Sequence, residues 1–307
     1  MITYYYRTLK DSELKIINEP RNGVWVHVEE PTEDDIKILT TQFGLDEDIL
    51  EDAQDFFEVP RLERETGGTY FFTRYPYEET KEDTDSAPLM IVMGESFVLT
   101  LTLRDIPQFN KLFDGKEAVH TTQKAKLFIQ LMTAVTTSYE KELVRLRRAV
   151  HRDRAKLRRI GNTEIVRFVN YEHKLNDMVA AVVPTNTWIQ QLTKGNYMQL
   201  YNDDVELMED LVVDNSQLVD SARSVLKTIQ NVRNASEVIL TNNLNTTIKT
   251  LTVLTIILTV PTIIASLYGM NVPLPFGESK YGFVFVLLFI MVAVSGIVML
   301  FKKNKWL

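Results

Sequence analysis

The sequence lacks cysteine entirely, although the chain has 307 residues. This absence excludes disulfide-stapled scaffolds, thiol catalysis and zinc sites with cysteine ligands. Histidine is scarce, and its spacing matches no His/Glu metal motif; the four positions are His27, His120, His151 and His173. The phosphate-binding patterns G-x-x-x-x-G-K-[S/T] and G-x-G-x-x-G are also missing. Together these absences argue against an enzyme.

Basic residues are scarce at the N-terminal end, and charge of either sign is scarce at the C-terminal end. Residues 1–120 contain 26 acidic and 12 basic side chains, and the whole chain has a net charge of -7. This balance argues against a nucleic-acid-binding protein, which would carry a basic face. Between residues 250 and 301 the charged residues are Glu278 and Lys280.

Residues 1–120 have the texture of an acidic α/β domain. The segment 23–28 alternates and is rich in β-formers, and Thr32 with Asp35 three residues later predicts a capped helix start. A turn at Gly67-Gly68 and a hairpin at Gly94-Glu95 indicate further strands. Residues 77–86 are polar and acidic, and we expect a loop there.

Long stretches within residues 121–249 contain no glycine or proline, the residues that most often end helices. No Gly or Pro occurs in 121–159, which predicts one helix, and residues 160–162 break it. A second helix is expected over 163–193, with a kink at Pro184, and residues 194–196 end it. No Gly or Pro occurs from Asn202 to Val260. A helix that continues unbroken to Tyr268 would have about 67 residues and be roughly 100 Å long.

The predicted long helix has a heptad-like apolar seam. Such a seam is typical of a stalk helix that packs against copies of itself or against neighbouring helices. Its members are Leu207, Leu211, Leu218, Val225, Ile229, Val232, Ile239 and Ile248.

Two charge-free runs, residues 251–268 and 283–301, have the length of membrane spans. Each has close to the roughly 20 residues that cross a hydrocarbon core of about 30 Å; the alternative is a pair of buried core helices. We divide the C-terminal part into spans at 250–269 and 282–301, an outer loop at 270–281 and a basic tail at 302–307. The lysines of the tail predict that both termini are cytoplasmic, in a multi-pass protein of the cell membrane.

Hydroxyl side chains of the first span recur at steps of three and four residues, which gives one helix face. They are Thr252, Thr255, Thr259, Thr262 and Ser266, and the face extends back past Leu251 to Asn245. One interpretation is a polar lining; the alternative is hydroxyls that only bond back to carbonyls one turn earlier. One chain has one such face, so a lined pathway implies a homo-oligomer.

Tyr268-Gly269-Met270-Asn271, directly after the first of two C-terminal spans, resembles the signature of the CorA family of divalent-cation transporters. The resemblance covers the whole architecture: an α+β cytoplasmic domain, a long α-helical stalk and two C-terminal transmembrane helices. It implies a funnel-shaped homopentamer in the bilayer that conducts Mg²⁺, and often Co²⁺ or Ni²⁺, inward.

The resemblance also assigns residues. It implies a selectivity loop of Gly269, Met270 and Asn271, and pore-lining positions at Asn245, Leu251, Thr255, Thr259, Thr262 and Ser266. It puts a divalent-sensing acid at Asp210, and Glu209 and Asp214 lie beside it on the same predicted helix. The acidic residues 78–85 are a candidate partner from a neighbouring subunit. The alternative for these three acids is a solvated face. Glu278 and Lys280 nearly cancel, whereas many family members have an acidic outer loop.

Mg²⁺ is therefore the expected cargo and regulator, and no organic cofactor is expected. Two other functions remain open at this point. One is a zinc transporter of the same superfamily, since the motif is shared in form. The other is a membrane-tethered sensor or scaffold that does not transport.

Overall fold

The computed structural model describes the chain except for residues 81–82, 156–161, 194–196, 199, 273–274, 276–279, 305 and 307. The chain divides into two compact units, Met1–Arg233 and Asn234–Leu307. The predicted breaks at residues 160–162 and 194–196 lie wholly or mostly outside the described residues.

The first unit contains a seven-stranded sheet in the order β2-β1-β3-β7-β6-β5-β4. Strands β3 and β7 pair in parallel, and the other neighbours pair in antiparallel fashion. The strands are β1 (Ile2–Tyr6), β2 (Lys15–Ile17), β3 (Val24–Glu29), β4 (Leu62–Glu65), β5 (Gly68–Thr80), β6 (Asp83–Met93) and β7 (Phe97–Thr102).

Helices cover both faces of this sheet. The helices are α1 (Glu33–Phe43), α2 (Glu47–Asp52), α3 (Asn110–Phe113, after a 3₁₀ turn at Pro107–Phe109), α4 (Lys124–Arg154), α5 (Asn162–Leu192), α6 (Asn202–Tyr268) and α7 (Gly282–Lys303). On β3, Val24, Val26 and Val28 belong to the core under α1 and α2. Trp25, between them, belongs to the core formed with α4, α5 and α6. The alternation predicted over 23–28 is therefore real, but both sets of side chains are buried.

Local signals at chain reversals are confirmed. Thr32 caps α1: its Oγ1 accepts from the backbone N–H of Asp35, and the Asp35 carboxylate accepts from the backbone N–H of Thr32. This is a capping box, which satisfies two of the otherwise unpaired groups at a helix start. The turn at Gly67-Gly68 joins β4 to β5, and the hairpin at Gly94-Glu95 joins β6 to β7.

The prediction of a loop over residues 77–86 is wrong. Strand β5 continues to Thr80 and β6 starts at Asp83, with Tyr77 opposite Asp85 and Glu78 opposite Thr84. The two arms extend a ladder that is already formed from Thr69 and Met93 onward, so each further pair adds hydrogen bonds to an aligned partner. Thr and Tyr suit strands, and the acidic side chains between them do not prevent the pairing.

The seam of α6 has two parts. Leu211, Leu218, Val225, Ile229 and Val232 are buried in the core of the first unit, so they pack against helices of their own chain. Leu207 lies at the surface, and Ile248 is 52% exposed. Up to Val232, the apolar seam therefore reflects packing of α6 against other helices of its own chain.

The second unit contains the rest of α6 and the whole of α7. By length and composition, α6 and α7 are the helices among the described residues that could cross a membrane. In the apolar window of α6, 6% of the residues are buried, and in that of α7 none are. The alternative of two buried core helices is thus not supported, because these helices lack the burial that a core helix would have.

Candidate ion pathway and candidate divalent-sensing cluster

The hydroxyl face of α6 is exposed along the predicted first span. Thr252, Thr255, Thr259, Thr262 and Ser266 are all exposed within the single chain. Four of the hydroxyls donate to the carbonyl four residues earlier: Thr252 to Ile248 at 2.9 Å, Thr255 to Leu251 at 2.9 Å, Thr259 to Thr255 at 2.7 Å and Thr262 to Leu258 at 2.8 Å.

Back-bonding to the helix does not compete with lining a pathway. A hydroxyl has one hydrogen to donate and two lone pairs that accept. When the hydrogen is committed to a carbonyl, only the oxygen lone pairs remain for whatever lies beside the helix. Thr246, Thr247 and Thr250 donate in the same way, although they lie off the hydroxyl face. The spacing of the hydroxyl groups therefore determines which side of the helix they line. Because the hydrogens of the four threonines on this side are donated to helix carbonyls, these side chains can only accept further hydrogen bonds.

The face changes character toward its N-terminal end. Asn245 is exposed, and Leu251 is 63% exposed. Lys249 lies between them and is also exposed. An amide and an aliphatic side chain therefore precede the hydroxyls along the same helix.

Helix α6 ends at Tyr268, directly before the Gly-Met-Asn sequence. The Gly269 N–H donates to the Ala265 carbonyl at 3.0 Å, and the Met270 N–H donates to the Leu267 carbonyl at 3.3 Å. Met270 is 53% exposed, and Asn271 is exposed. The first two residues of the motif therefore make the last hydrogen bonds of the helix, and the side chains of Met270 and Asn271 remain exposed in the single chain.

Glycine is often required where the backbone adopts a conformation that other residues avoid, and Gly269 does not adopt one. Gly269 is not among the residues with positive φ. An added β-carbon would meet the Ala265 and Ser266 carbonyl oxygens at 3.5 Å, which is ordinary contact. Nothing within the described part of this chain therefore requires glycine at this position.

The acidic cluster on the first part of α6 has a neighbour that the sequence did not reveal. Glu209, Asp210 and Asp214 are exposed on the helix. Burial raises the pKa of Glu140 on α4, and the nearby charge of Asp214 raises it further. Spacing within α6 could not show this contact, because Glu140 is 74 positions away in the sequence.

Within one chain these acids do not assemble a closed metal site. Among the described residues no group of three or more His, Asp or Glu side chains is arranged to hold a metal ion. In residues 78–85, Glu78 already forms an ion pair with Arg145 of α4 at 3.6 Å. A cation held at Asp210 or Asp214 would therefore complete its coordination with water or with groups from another subunit.

Comparison with known proteins identifies relatives over nearly the whole chain. A family model described as CorA-like Mg²⁺ transporter protein matches residues 21–303. The cobalt/magnesium transport protein CorA of Methanocaldococcus jannaschii is 24% identical over 294 residues, which cover 92% of this chain and 91% of that protein.

Solved structures agree in fold. The complete structure of the CorA magnesium transporter from Methanocaldococcus jannaschii has a TM-score of 0.88 at 20% identity and covers 100% of this chain and 99% of that one. The ZntB cytoplasmic domain from Vibrio parahaemolyticus has a TM-score of 0.63 at 9% identity, over 76% of this chain and 96% of that one. The match to the full-length protein includes the soluble part, the long helix and the two C-terminal apolar helices. The chain therefore belongs to the family of CorA-like Mg²⁺ transporter proteins, which are membrane transporters of divalent cations and not enzymes.

Proposed function

We propose that the protein carries divalent cations, chiefly Mg²⁺, into the cytoplasm through a homopentamer whose α6 helices surround the pathway. The observation that carries this proposal is the hydroxyl face of α6, which presents acceptors and ends next to Asn271. The pentamer, the direction of transport and the preference for Mg²⁺ rest on the family resemblance.

The polarity of the hydroxyl face suits a hydrated cation. Mg²⁺ is small, dehydrates reluctantly and usually keeps several waters. Water bound to a cation turns its oxygen inward and its hydrogens outward, so the shell as a whole donates hydrogen bonds. Threonine oxygens whose own hydrogens are committed to the helix can accept these bonds. An anion presents the opposite polarity and finds no hydroxyl hydrogen free on Thr252, Thr255, Thr259 or Thr262.

The exposure of the hydroxyl face of α6 in the single chain supports a homo-oligomer. In a bilayer, polar side chains tend to face protein or water rather than lipid. One chain supplies one hydroxyl face, so several copies are required to surround a pathway. Helix α7 has no comparable face, and Ser295 is its one hydroxyl side chain, which suits an outer position in contact with lipid.

At the outer mouth of the proposed pathway, uncharged ligands favour release of the cation over tight binding. The Asn271 amide and nearby backbone carbonyls can hydrogen-bond the waters of a cation without replacing them. Conduction requires binding that is strong enough for entry and weak enough for release. The lysines of the C-terminal tail support a cytoplasmic location for both termini.

On the cytoplasmic side, we propose that bound Mg²⁺ stabilises the closed state. Glu209, Asp210 and Asp214 are exposed, and Asp214 and Glu140 already repel each other within one chain. Facing carboxylates from two subunits would repel further unless a cation lies between them. A ligand shifts such an equilibrium only through its higher affinity for one state, here the closed one.

Ion flux into liposomes tests the proposal directly. We expect saturable Mg²⁺ uptake by the reconstituted protein, and loss of uptake in Asn271→Ala with unchanged assembly on size exclusion. Asn243→Ala is the matched control, because Asn243 is an exposed amide on α6 that lies off the hydroxyl face. Near-normal uptake by Asn271→Ala would contradict the role of this residue.

The same assay separates the remaining functions when Co²⁺ and Zn²⁺ are added with and without a pH gradient. Preference for Zn²⁺ with dependence on the gradient would favour a zinc transporter. Absence of flux for every ion would favour a tethered sensor or scaffold.

A further inference from the structure

A feature that ion transport leaves unexplained is a cleft in the first unit, between α4 and the ends of the neighbouring strands. Its volume is about 780 Å³, within the range of roughly 300–1,000 Å³ that is typical of small-molecule sites. A second groove of about 350 Å³ continues along α4 and shares Gln108, Ser138 and Lys141 with it. Every residue of both cavities lies in the described part of this unit.

Three basic side chains line the cleft. Arg104 follows β7, and Lys141 and Arg145 lie one turn apart on α4. Arg145 contacts Glu78 and Glu142 at 3.6 Å each. No ion pair within the described chain involves Arg104 or Lys141, and both are exposed. Guanidinium and ammonium groups in this arrangement are the usual protein ligands of phosphate.

Four acidic side chains line the same cleft, namely Glu30, Glu78, Asp105 and Glu142. Glu78 and Glu142 contact Arg145, whereas no ion pair within the described chain involves Glu30 or Asp105. Their charges add to the effect of burial in raising the pKa of the neighbouring Glu29, so the acids repel one another. A free polyphosphate would be repelled by these acids, whereas a bare cation would be repelled by the bases. A ligand that carries both signs matches both sets of side chains.

Mg²⁺ complexed with a polyphosphate has this charge distribution. Mg²⁺ is commonly bound in proteins through one or two carboxylates together with substrate phosphates, and it keeps several of its waters. The other lining residues are Pro76, Tyr77 and Pro107, with the polar Thr84, Gln108 and Ser138. Tyr77 supplies an aromatic wall that can pack against the face of a base.

The cleft is also held in place by its own hydrogen bonds. The Gln108 Nε2 donates to the Pro76 carbonyl at 2.5 Å, and the Tyr75 hydroxyl donates to the Arg104 carbonyl at 2.7 Å. The segment after β7 is thereby tied to β5. A preformed site loses less conformational entropy on binding than a mobile one.

We propose that this cleft binds a magnesium-complexed polyphosphate, of which a nucleoside triphosphate is one source, with Arg104, Lys141 and Arg145 toward the phosphates and Glu30 and Asp105 toward the hydrated cation. The proposal does not depend on transport, since it concerns binding to the first unit. It would make the transporter responsive to the complexed form of its own cargo.

Binding can be measured by titration calorimetry on the full-length protein in detergent, with four probes: Mg²⁺ alone, ATP with excess Mg²⁺, tripolyphosphate with excess Mg²⁺, and ATP with chelator. We expect saturable binding of the two magnesium complexes and at least tenfold weaker binding of ATP with chelator. Tighter binding of ATP than of tripolyphosphate, reduced by Tyr77→Leu, would assign the aromatic wall to the base. Equal affinities would assign the site to the polyphosphate alone.

Charge variants make the test specific. Arg104→Gln with Lys141→Gln is expected to weaken binding about tenfold or more, because charge-assisted bonds to phosphate are lost. Lys10→Gln with Arg21→Gln removes the same charge from exposed positions of the same unit and should leave binding unchanged. Glu30→Gln with Asp105→Asn should reduce the dependence on Mg²⁺. Unchanged melting temperatures establish that the variants are folded.

Three results would overturn the proposal. The first is absence of saturable binding of either magnesium complex at millimolar concentrations. The second is equal weakening by the cleft variant and the control variant. The third is heat from Mg²⁺ alone with none added by the phosphates, which would make the cleft a simple cation site. Each can occur while liposome flux is normal, so failure here is distinct from failure of the transport proposal.

Discussion

Thr259 serves the helix and the proposed pathway with one hydroxyl group. Its hydrogen is donated to the Thr255 carbonyl at 2.7 Å, and its oxygen remains available as an acceptor. Thr259→Val keeps the shape and removes the acceptor, so we expect Mg²⁺ flux to fall severalfold, since a net hydrogen bond contributes about 1 kcal/mol. Thr259→Ser restores the hydroxyl and should restore most of the flux.

Thr250→Val is the control for Thr259→Val. Thr250 makes the same bond to the Thr246 carbonyl at 2.9 Å. It lies nine residues before Thr259, which is half a turn away around the helix. Equal loss of liposome flux in Thr250→Val and Thr259→Val would show that the back-bond matters and the face does not.

His27 makes the stability of the first unit depend on pH. Burial, with a smaller contribution from the N-terminal amine, lowers its pKa to about 4 from the usual 6.5. Between these two values the unfolded chain binds a proton that the folded chain does not, so stability falls as pH decreases through this window. The expected loss from this residue is up to about 3 kcal/mol.

Thermal unfolding followed by tryptophan fluorescence between pH 7 and pH 4 measures this dependence. His27→Gln should flatten the part of the slope that His27 causes. Identical slopes in the wild-type protein and His27→Gln would contradict the assignment.

At the scale of elements, one buried amide fixes the position of α6 against α4. Asn215 is 2% exposed, and its Nδ2 donates to the Thr136 Oγ1 at 2.8 Å and to the Leu211 carbonyl at 3.2 Å. Asn215→Leu leaves the Thr136 hydroxyl without this donor and forces a larger apolar group into the contact. We expect a loss of about 1–3 kcal/mol in the free energy of unfolding.

A double-mutant cycle with Thr136→Val isolates this contact. If the two side chains interact, the double variant should lose less stability than the sum of the single variants. Gln190→Leu serves as a control, because its contact with Ser216 is exposed and long, at 3.4 Å. Additive losses for Asn215 and Thr136 would contradict the coupling.

The sequence predicts elements well where a residue acts on its own neighbours. Thr32, Gly94 and the Gly- and Pro-free stretches determine local backbone geometry, and the helix start, the hairpin and the length of α6 are confirmed. Strands β1 and β2 and the arms formed by residues 77–86 were not predicted. Their stability depends on partners distant in sequence, such as Tyr5 opposite Trp25, and periodicity in one segment does not contain that information.

The candidate site divides in the same way. The hydroxyl face follows from spacing along one helix, and the structure adds only the direction of each hydrogen bond. Glu140 could not be found, because it approaches Asp214 through the packing of α4 on α6. The signature places Gly269 directly after α6, and the structure gives room for a β-carbon there. Gly269→Ala therefore reports on contacts between subunits, if it impairs transport.

At the scale of the whole molecule, we propose that the acidic cluster links Mg²⁺ concentration to the state of the assembly. We expect millimolar-range Mg²⁺ to slow proteolysis of the cytoplasmic part, because cations between facing carboxylates hold subunits together. Asp210→Ala should weaken this protection and raise flux at high internal Mg²⁺.

The measurement is the rate of limited proteolysis of the reconstituted protein with Mg²⁺ or chelator. Asp220→Ala removes an exposed acid from the same helix and should behave as the wild-type protein. An unchanged rate in chelator would mean that Glu209, Asp210 and Asp214 form only a solvated face.

The back-bonded threonines of α6 also bear on how the protein is made. A span with unsatisfied hydroxyl hydrogens would be costly to leave in lipid before partners arrive. Here Thr252, Thr255, Thr259 and Thr262 satisfy their hydrogens within the helix. A newly synthesised monomer can therefore enter the bilayer and remain there as a single copy, and assembly can follow as a separate step whose rate depends on how often such copies meet.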